Sequence, residues 1–195
     1  MKRLSIVSGK LVLVLCLIAT MAGCTSTTRE WQEEVQLSDG TVLEVHRTIR
    51  FEKTGGGPPD GVRGDGWIAD GEHLSFVEPG TGRAIEWSGQ RRTAALLDRV
   101  DGKYVIVASQ TRCEFEDRGR RIWRVYVLTS TDWWAGVPVG LSNNRTPNLA
   151  LDSRGYSKTK GWSRVTIAQK RQFDAASRVS RELKTIDLND PTKCN

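Results

Sequence analysis

Histidine is scarce in this chain of 195 residues: only His46 and His73 occur, and neither lies near a nucleophile motif such as Gly-x-Ser-x-Gly. A hydrolytic triad or a zinc site built on them requires the fold to bring both together. The plainer expectation is two surface or hairpin residues. Long apolar runs are also lacking. The longest, Leu11 to Met21, falls well short of the roughly 20 residues that cross a bilayer core as a helix. Dense basic clusters are absent as well. The formal charge is +6, but Lys2, Arg3 and Lys10 all precede residue 24, and removing residues 1–23 leaves +3. That is too thin a surplus for a nucleic-acid-binding face, so no nucleic acid partner is expected.

What the amino terminus does contain is a positive n-region followed by the apolar run, the pattern of a signal peptide. Ala22 and Gly23 then precede Cys24, and Met21-Ala22-Gly23-Cys24 resembles the bacterial lipobox. That resemblance implies cleavage before Cys24, lipidation of Cys24 and an acylated amino terminus. Each buried CH₂ of such an anchor contributes about 0.8 kcal/mol, so several chains hold firmly. The alternative is cleavage by an ordinary signal peptidase, with Cys24 an incidental thiol. Thr25, where an Asp retains such proteins at the inner membrane, implies lipid anchoring at the outer membrane, on its periplasmic face. The chain then divides into a leader (1–23), a lipidated tether (24–30) and a β-rich periplasmic domain (31–195). The 172 residues left after cleavage suffice for one domain burying about 70% of its unfolded surface.

Cys16 departs with the leader and Cys24 is taken by lipid, which leaves Cys113 and Cys194. In an oxidising compartment two thiols imply one disulfide, Cys113–Cys194. Loop closure would make it worth about 4–5 kcal/mol before strain. Two separate buried thiols or an intermolecular bridge are the alternatives. No ligand cluster accompanies either cysteine, so no metal is expected there.

Turn signals divide the remainder at intervals of about ten residues. Trp31 to Leu37 and Thr41 to Phe51 flank Asp39-Gly40, a strong hairpin signal. Lys53 to Gly66, with Gly55-Gly56-Gly57-Pro58-Pro59, reads as a surface loop. Leu74–Glu78 and Arg83–Trp87 flank Pro79-Gly80-Thr81-Gly82, and Phe76, Ile85 and Trp87 are candidates for the buried face. A third hairpin joins Ala94–Val100 to Tyr104–Ala108 through Asp101-Gly102, and Ile122–Leu128 reads as a clean strand. Trp133-Trp134 and Trp162–Ile167 suggest a further pair. The expected fold is mainly β: a single antiparallel β-sheet domain, as a hairpin meander, sandwich or partial barrel. From about Ala168 to Thr185, apolar residues Phe173, Ala176, Val179 and Leu183 recur at steps of three and four, predicting one carboxyl-terminal amphipathic helix. Asp190-Pro191 ends it.

Trp31, Glu33, Glu34 and Val35, the Asp39-Gly40 hairpin, and the Leu96-Leu97-Asp98…Asp101-Gly102-Lys103-Tyr104 run followed by Cys113 resemble an uncharacterised proteobacterial lipoprotein family with a Trp-x-Glu-Glu-Val opening. The likeness touches much of residues 31–113. It implies a cell-envelope lipoprotein and carries no established activity.

Three constellations suggest chemistry. Ser157-Lys-Thr-Lys160, Lys53-Thr54-Gly55 and Ser142-Asn143-Asn144 match motifs of penicillin-interacting enzymes, but in reversed order, and Ser157 falls in a Gly/Lys-rich loop rather than at a helix start. Asp60, Asp65 and Asp70, each followed by glycine, offer three carboxylates to Ca²⁺, without EF-hand spacing. Ordinary turn pairs explain them more simply. Trp133-Trp134, among seven tryptophans, offers a stacking platform for a sugar or peptide, with core packing the simpler reading. No catalytic residue and no cofactor emerge. The leading expectation is a non-enzymatic binding or structural module of the envelope, with the membrane as one partner and an envelope protein or glycan as another. The alternatives are an envelope hydrolase assembled from distant residues and an accessory subunit of an envelope complex.

Overall fold

The computed structural model describes residues 26–53, 67–110, 123–141, 146–150 and 161–176. Alternation of inward and outward side chains makes β1 (Ser26–Gln36) and β2 (Val42–Lys53) half-buried strands, with Trp31, Val35, Leu43, Val45, Ile49 and Phe51 turned inward. The turn between them spans three residues and closes on Gly40, whose φ of 86° is open only to residues without a steric penalty there. Leu37 N donates to Thr41 O at 2.8 Å, and Thr41 N donates to Asp39 Oδ1 at 2.9 Å. That backbone donor also holds the Asp39 carboxyl below its ordinary range.

β3 (Trp67–Val77) and β4 (Ala84–Gln90) form the second hairpin, and the first sheet runs in the order β4-β3-β2-β1-β9. β5 (Arg92–Val100) and β6 (Lys103–Gln110) form the third. Their two-residue turn places both Asp101 and Gly102 at positive φ, 49° and 75°, the twist that a right-handed strand pair favours. β7 (Trp123–Leu128) and β8 (Trp133–Ala135) complete a second sheet, β5-β6-β7-β8. The fold is therefore mainly β, as the turn spacing predicts, and takes the form of two facing sheets. The chain crosses between them at Arg91, whose φ is 52°.

The shared core draws on both sheets. Val45, Leu74, Phe76 and Trp87 of the first meet Leu97, Tyr104 and Ile106 of the second. Phe76 packs edge-on to Tyr104 at 4.9 Å, and Trp87 lies 5.6 Å from Tyr126. Both faces of β5 and β6 are buried: Ala95, Leu96, Val105 and Val107 form a second cluster with Leu141. This accounts for the unbroken apolar runs there. A third cluster joins Trp31, Phe51 and Val165, with Trp162 edge-on to Trp31 at 5.6 Å.

Two expectations are corrected. Strand pairing begins at Ser26, opposite Glu52, so residues 26–30 are hydrogen-bonded strand rather than tether. The tryptophan segments at 133 and 162 do not pair with each other. β8 joins β7, whereas the short β9 (Arg164–Val165) runs parallel to β1 in the other sheet. β9 stops after two residues because Thr166 and Gln169 form a capping box. Gln169 N donates to Thr166 Oγ1 at 3.2 Å, and Thr166 N to Gln169 Oε1 at 2.8 Å. The helix α1 (Ile167–Ala176) follows, starting where the apolar periodicity predicts.

Candidate functional site

Glu33, Arg47 and Glu72 occupy the inward register of three neighbouring strands, in phase with the apolar residues, and all three are buried. Arg47 Nε donates to Glu72 Oε1 at 2.6 Å and its Nη1 to Glu33 Oε1 at 2.8 Å. Its remaining donors reach main chain: Nη1 to Ala150 O at 2.7 Å and Nη2 to Ala94 O at 3.1 Å. The carboxylates work the same way. Glu72 Oε2 accepts from Ala94 N at 2.7 Å, and Glu33 Oε2 accepts from Ala150 N at 2.9 Å. Lys170 of α1 closes the group, 3.4 Å from Glu33 and donating to Asn148 O at 2.7 Å.

The group is formally neutral, two cations against two anions, and it ties both sheets, residues 148–150 and α1 together. Burial alone would lower the Arg47 pKa, but the Glu72 and Glu33 carboxylates outweigh it and hold the guanidinium charged more firmly than usual. For Glu72 burial wins over the attraction of Arg47 and raises the carboxyl. Burial likewise lowers the Lys170 ammonium, against the pull of Glu33. Every one of these polar side chains is committed to a structural bond, so the group works as a polar staple.

Asn148 performs a related task beside it. Its Oδ1 accepts from Leu97 N at 2.9 Å, and its Nδ2 donates to Leu97 O at 2.7 Å and to Gln36 O at 3.0 Å. One side-chain amide thus stands where the peptide of a neighbouring strand would stand. Ala95 O accepts from the main chain of Asn148 and Leu149. The outer edge of β5 is therefore occupied from Ala94 to Leu97.

The two histidines share the outer face of the first sheet, on β2 and β3. His46 bonds Glu30 of β1 at 2.7 Å, and His73 approaches Glu86 of β4 at 3.4 Å. Each takes its partner from the strand on the side away from the other, so they are not drawn into one site. Asp70 is buried and held by Arg50, with Arg91 at 4.0 Å; Asp60 and Asp65 lie outside the described residues. Among the described residues, no group of three or more His, Cys, Asp or Glu side chains is placed to hold a metal ion. Cys24, Cys113 and Cys194 lie outside the described residues, as do Ser142 to Asn144 and Ser157 to Lys160. Lys53 is the exposed last residue of β2.

Trp133 and Trp134 are consecutive in a strand and point to opposite sides. Trp133 packs on the shared core, and its indole N–H donates to Glu86 O at 2.6 Å, joining the open edges of the two sheets. Trp134 is 70% exposed and is followed by Val137 at 61% and Val139 at 90%. Beside Trp133, a cavity of about 250 Å³ is lined by Arg83, Ile85, Leu128 and Ser130. It falls below the roughly 300–1,000 Å³ of a small-molecule site, and Arg83 spans it to bond Ser130 O at 2.9 Å. Comparison of the chain with known protein families, curated proteins and solved structures finds no match.

Proposed function

We propose that this chain is a lipid-anchored protein of the cell envelope whose folded part is a non-enzymatic binding or structural module. Supporting it are the leader with its lipobox-like Met21-Ala22-Gly23-Cys24 and the commitment of the buried ionisable groups to structural bonds. The observation that carries the module reading is the exposure of Trp134, Val137 and Val139 within six residues of chain, three of the five large hydrophobic side chains exposed among the described residues. Apolar side chains left in water close together in the chain are what a contact surface would cover. The same exposure favours one further reading, an accessory subunit of an envelope complex.

Two experiments separate anchor from module. Mass spectrometry of the native amino terminus is expected to find an acylated Cys24; an intact leader or a bare thiol overturns the anchor. A photoreactive residue at position 139 is expected to yield a discrete adduct in intact cells, and the same residue at Ser88, on the outer face of the first sheet, is not. No adduct at either position removes the module reading.

A further inference from the structure

The two ends of the sandwich carry opposite charge. Strand register places Ser26, Lys53, Trp67, Gln90 and Arg92 at one end, and the turns at 38–40, 79–82, 101–102 and 129–132 at the other. At the Ser26 end the first sheet contributes Arg29, Arg50 and Lys53, and the crossing between sheets contributes Arg91 and Arg92. Arg124 of β7 adds to them and Glu30, Glu52 and Asp70 oppose them, a formal sum of +3 among the described residues. At the far end, among the described residues, the carboxylates Asp39, Glu44, Glu78, Asp101 and Asp132 outnumber Arg83, Arg99 and Lys103.

Pairing that starts at Ser26 leaves one residue, Thr25, and two Cα–Cα steps between the first strand and Cys24. Covalent geometry limits that span to about 7 Å. This is within the Debye length of about 8 Å at physiological ionic strength, so charges at this end are only partly screened from a membrane surface that holds Cys24. An anionic surface attracts the basic end and repels the acidic end, and both effects turn the long axis of the strands the same way.

We infer that the Arg50, Lys53 and Arg91 end of the sandwich lies against anionic phospholipid headgroups, with the 38–40 and 129–132 turns pointing away from the membrane. The inference rests on the lipid-anchor reading. It makes electrostatics a second attachment that adds orientation to a hydrophobic anchor that supplies hold.

The test uses the acylated full-length protein purified in detergent and reconstituted into vesicles of phosphatidylcholine alone, or of phosphatidylcholine with phosphatidylglycerol. Flotation with both vesicle types is the expected behaviour of the anchor; failure to float with phosphatidylcholine alone overturns the anchor reading itself. Hydrogen exchange then reads orientation. Peptides covering 26–30, 50–53 and 90–92 are expected to exchange at least about fivefold more slowly on anionic than on neutral vesicles. The protection should vanish in 0.5 M salt.

Thr28→Glu/Lys53→Glu, both exposed positions, should abolish the protection while flotation persists. Ser130→Glu/Lys103→Glu makes the same charge change at the far end and should leave it intact. Flotation without composition-dependent protection, or equal protection of the 38–40 and 129–132 turns, overturns the inference and spares the anchor.

Discussion

Arg47→Met is the sharpest probe of the buried charge group. Methionine nearly fills the volume but removes the four hydrogen bonds to Glu72, Glu33, Ala150 O and Ala94 O. Two buried carboxylates then face only Lys170, 3.4 Å from Glu33. Removing one partner of a buried ion pair costs about 3–5 kcal/mol, and each orphaned carbonyl adds about 1 kcal/mol or more. A loss of about 5 kcal/mol is comparable to the whole stability of many domains.

The triple change Glu33→Leu/Arg47→Met/Glu72→Leu is more informative. By charge alone, replacing a buried ionic group with apolar residues is neutral or stabilising by about 1–4 kcal/mol. Here the same three side chains also serve the N–H and C=O of both Ala94 and Ala150. Four buried main-chain groups without partners cost about 8 kcal/mol at about 2 kcal/mol each, which outweighs the gain. The triple variant is therefore expected to unfold at much lower urea than the parent, as followed by tryptophan fluorescence with the slope of the transition checked. A triple variant with a midpoint at or above the parent's would refute the view that the group exists to satisfy the backbone.

Three further outcomes are expected. Gly89→Ala would place a Cβ 2.3 Å from Cη2 of the buried Trp87, whose ring is confined by Tyr126. A loss of about 1–3 kcal/mol and an altered near-ultraviolet tryptophan signal should result. Asn148→Ala strips partners from Leu97 N, Leu97 O and Gln36 O and should cost about 2–4 kcal/mol; Asn148→Asp should cost no less, because it sets a carboxylate against two carbonyls. Lys170 has a folded pKa below its ordinary 10.5, so between those two values the unfolded chain binds more protons and Lys170 makes stability rise with pH. Below the folded pKa its burial cost is present in full. The urea midpoint of Lys170→Met relative to the parent should therefore fall as pH is raised towards 10.5, and a constant difference would contradict the burial of the ammonium.

The hairpins were legible because the information for each is local. Asp39-Gly40, Gly80-Thr81-Gly82 and Asp101-Gly102 sit between alternating runs, and positive φ at Gly40, Asp101 and Gly102 is what such turns require. The charge group was not read from the sequence, although its trace is there. Glu33 lies in step with Trp31, Val35 and Leu37, Arg47 with Val45 and Ile49, and Glu72 with Leu74 and Phe76. Opposite charges in the apolar phase of consecutive strands are the signal. The partners, however, are 14 and 25 residues apart and reach Ala150 more than 100 residues on, so only three-dimensional pairing shows that they meet. The capping box at Thr166 and Gln169 is a local signal, but it lies within a run that reads as strand. Trp133 and Trp134 are adjacent in sequence, and strand geometry alone sends them to different surroundings.

The amide of Asn148 follows the main-chain groups it covers on β5 by 51 residues, so during synthesis the Ala94-Ala95-Leu96-Leu97 strand emerges well before its cover. For that interval the nascent chain carries a sticky, uncapped ribbon, apolar on both faces, able to recruit a like strand from a neighbouring chain. Chains truncated before residue 148 should therefore co-aggregate more readily than the full-length chain.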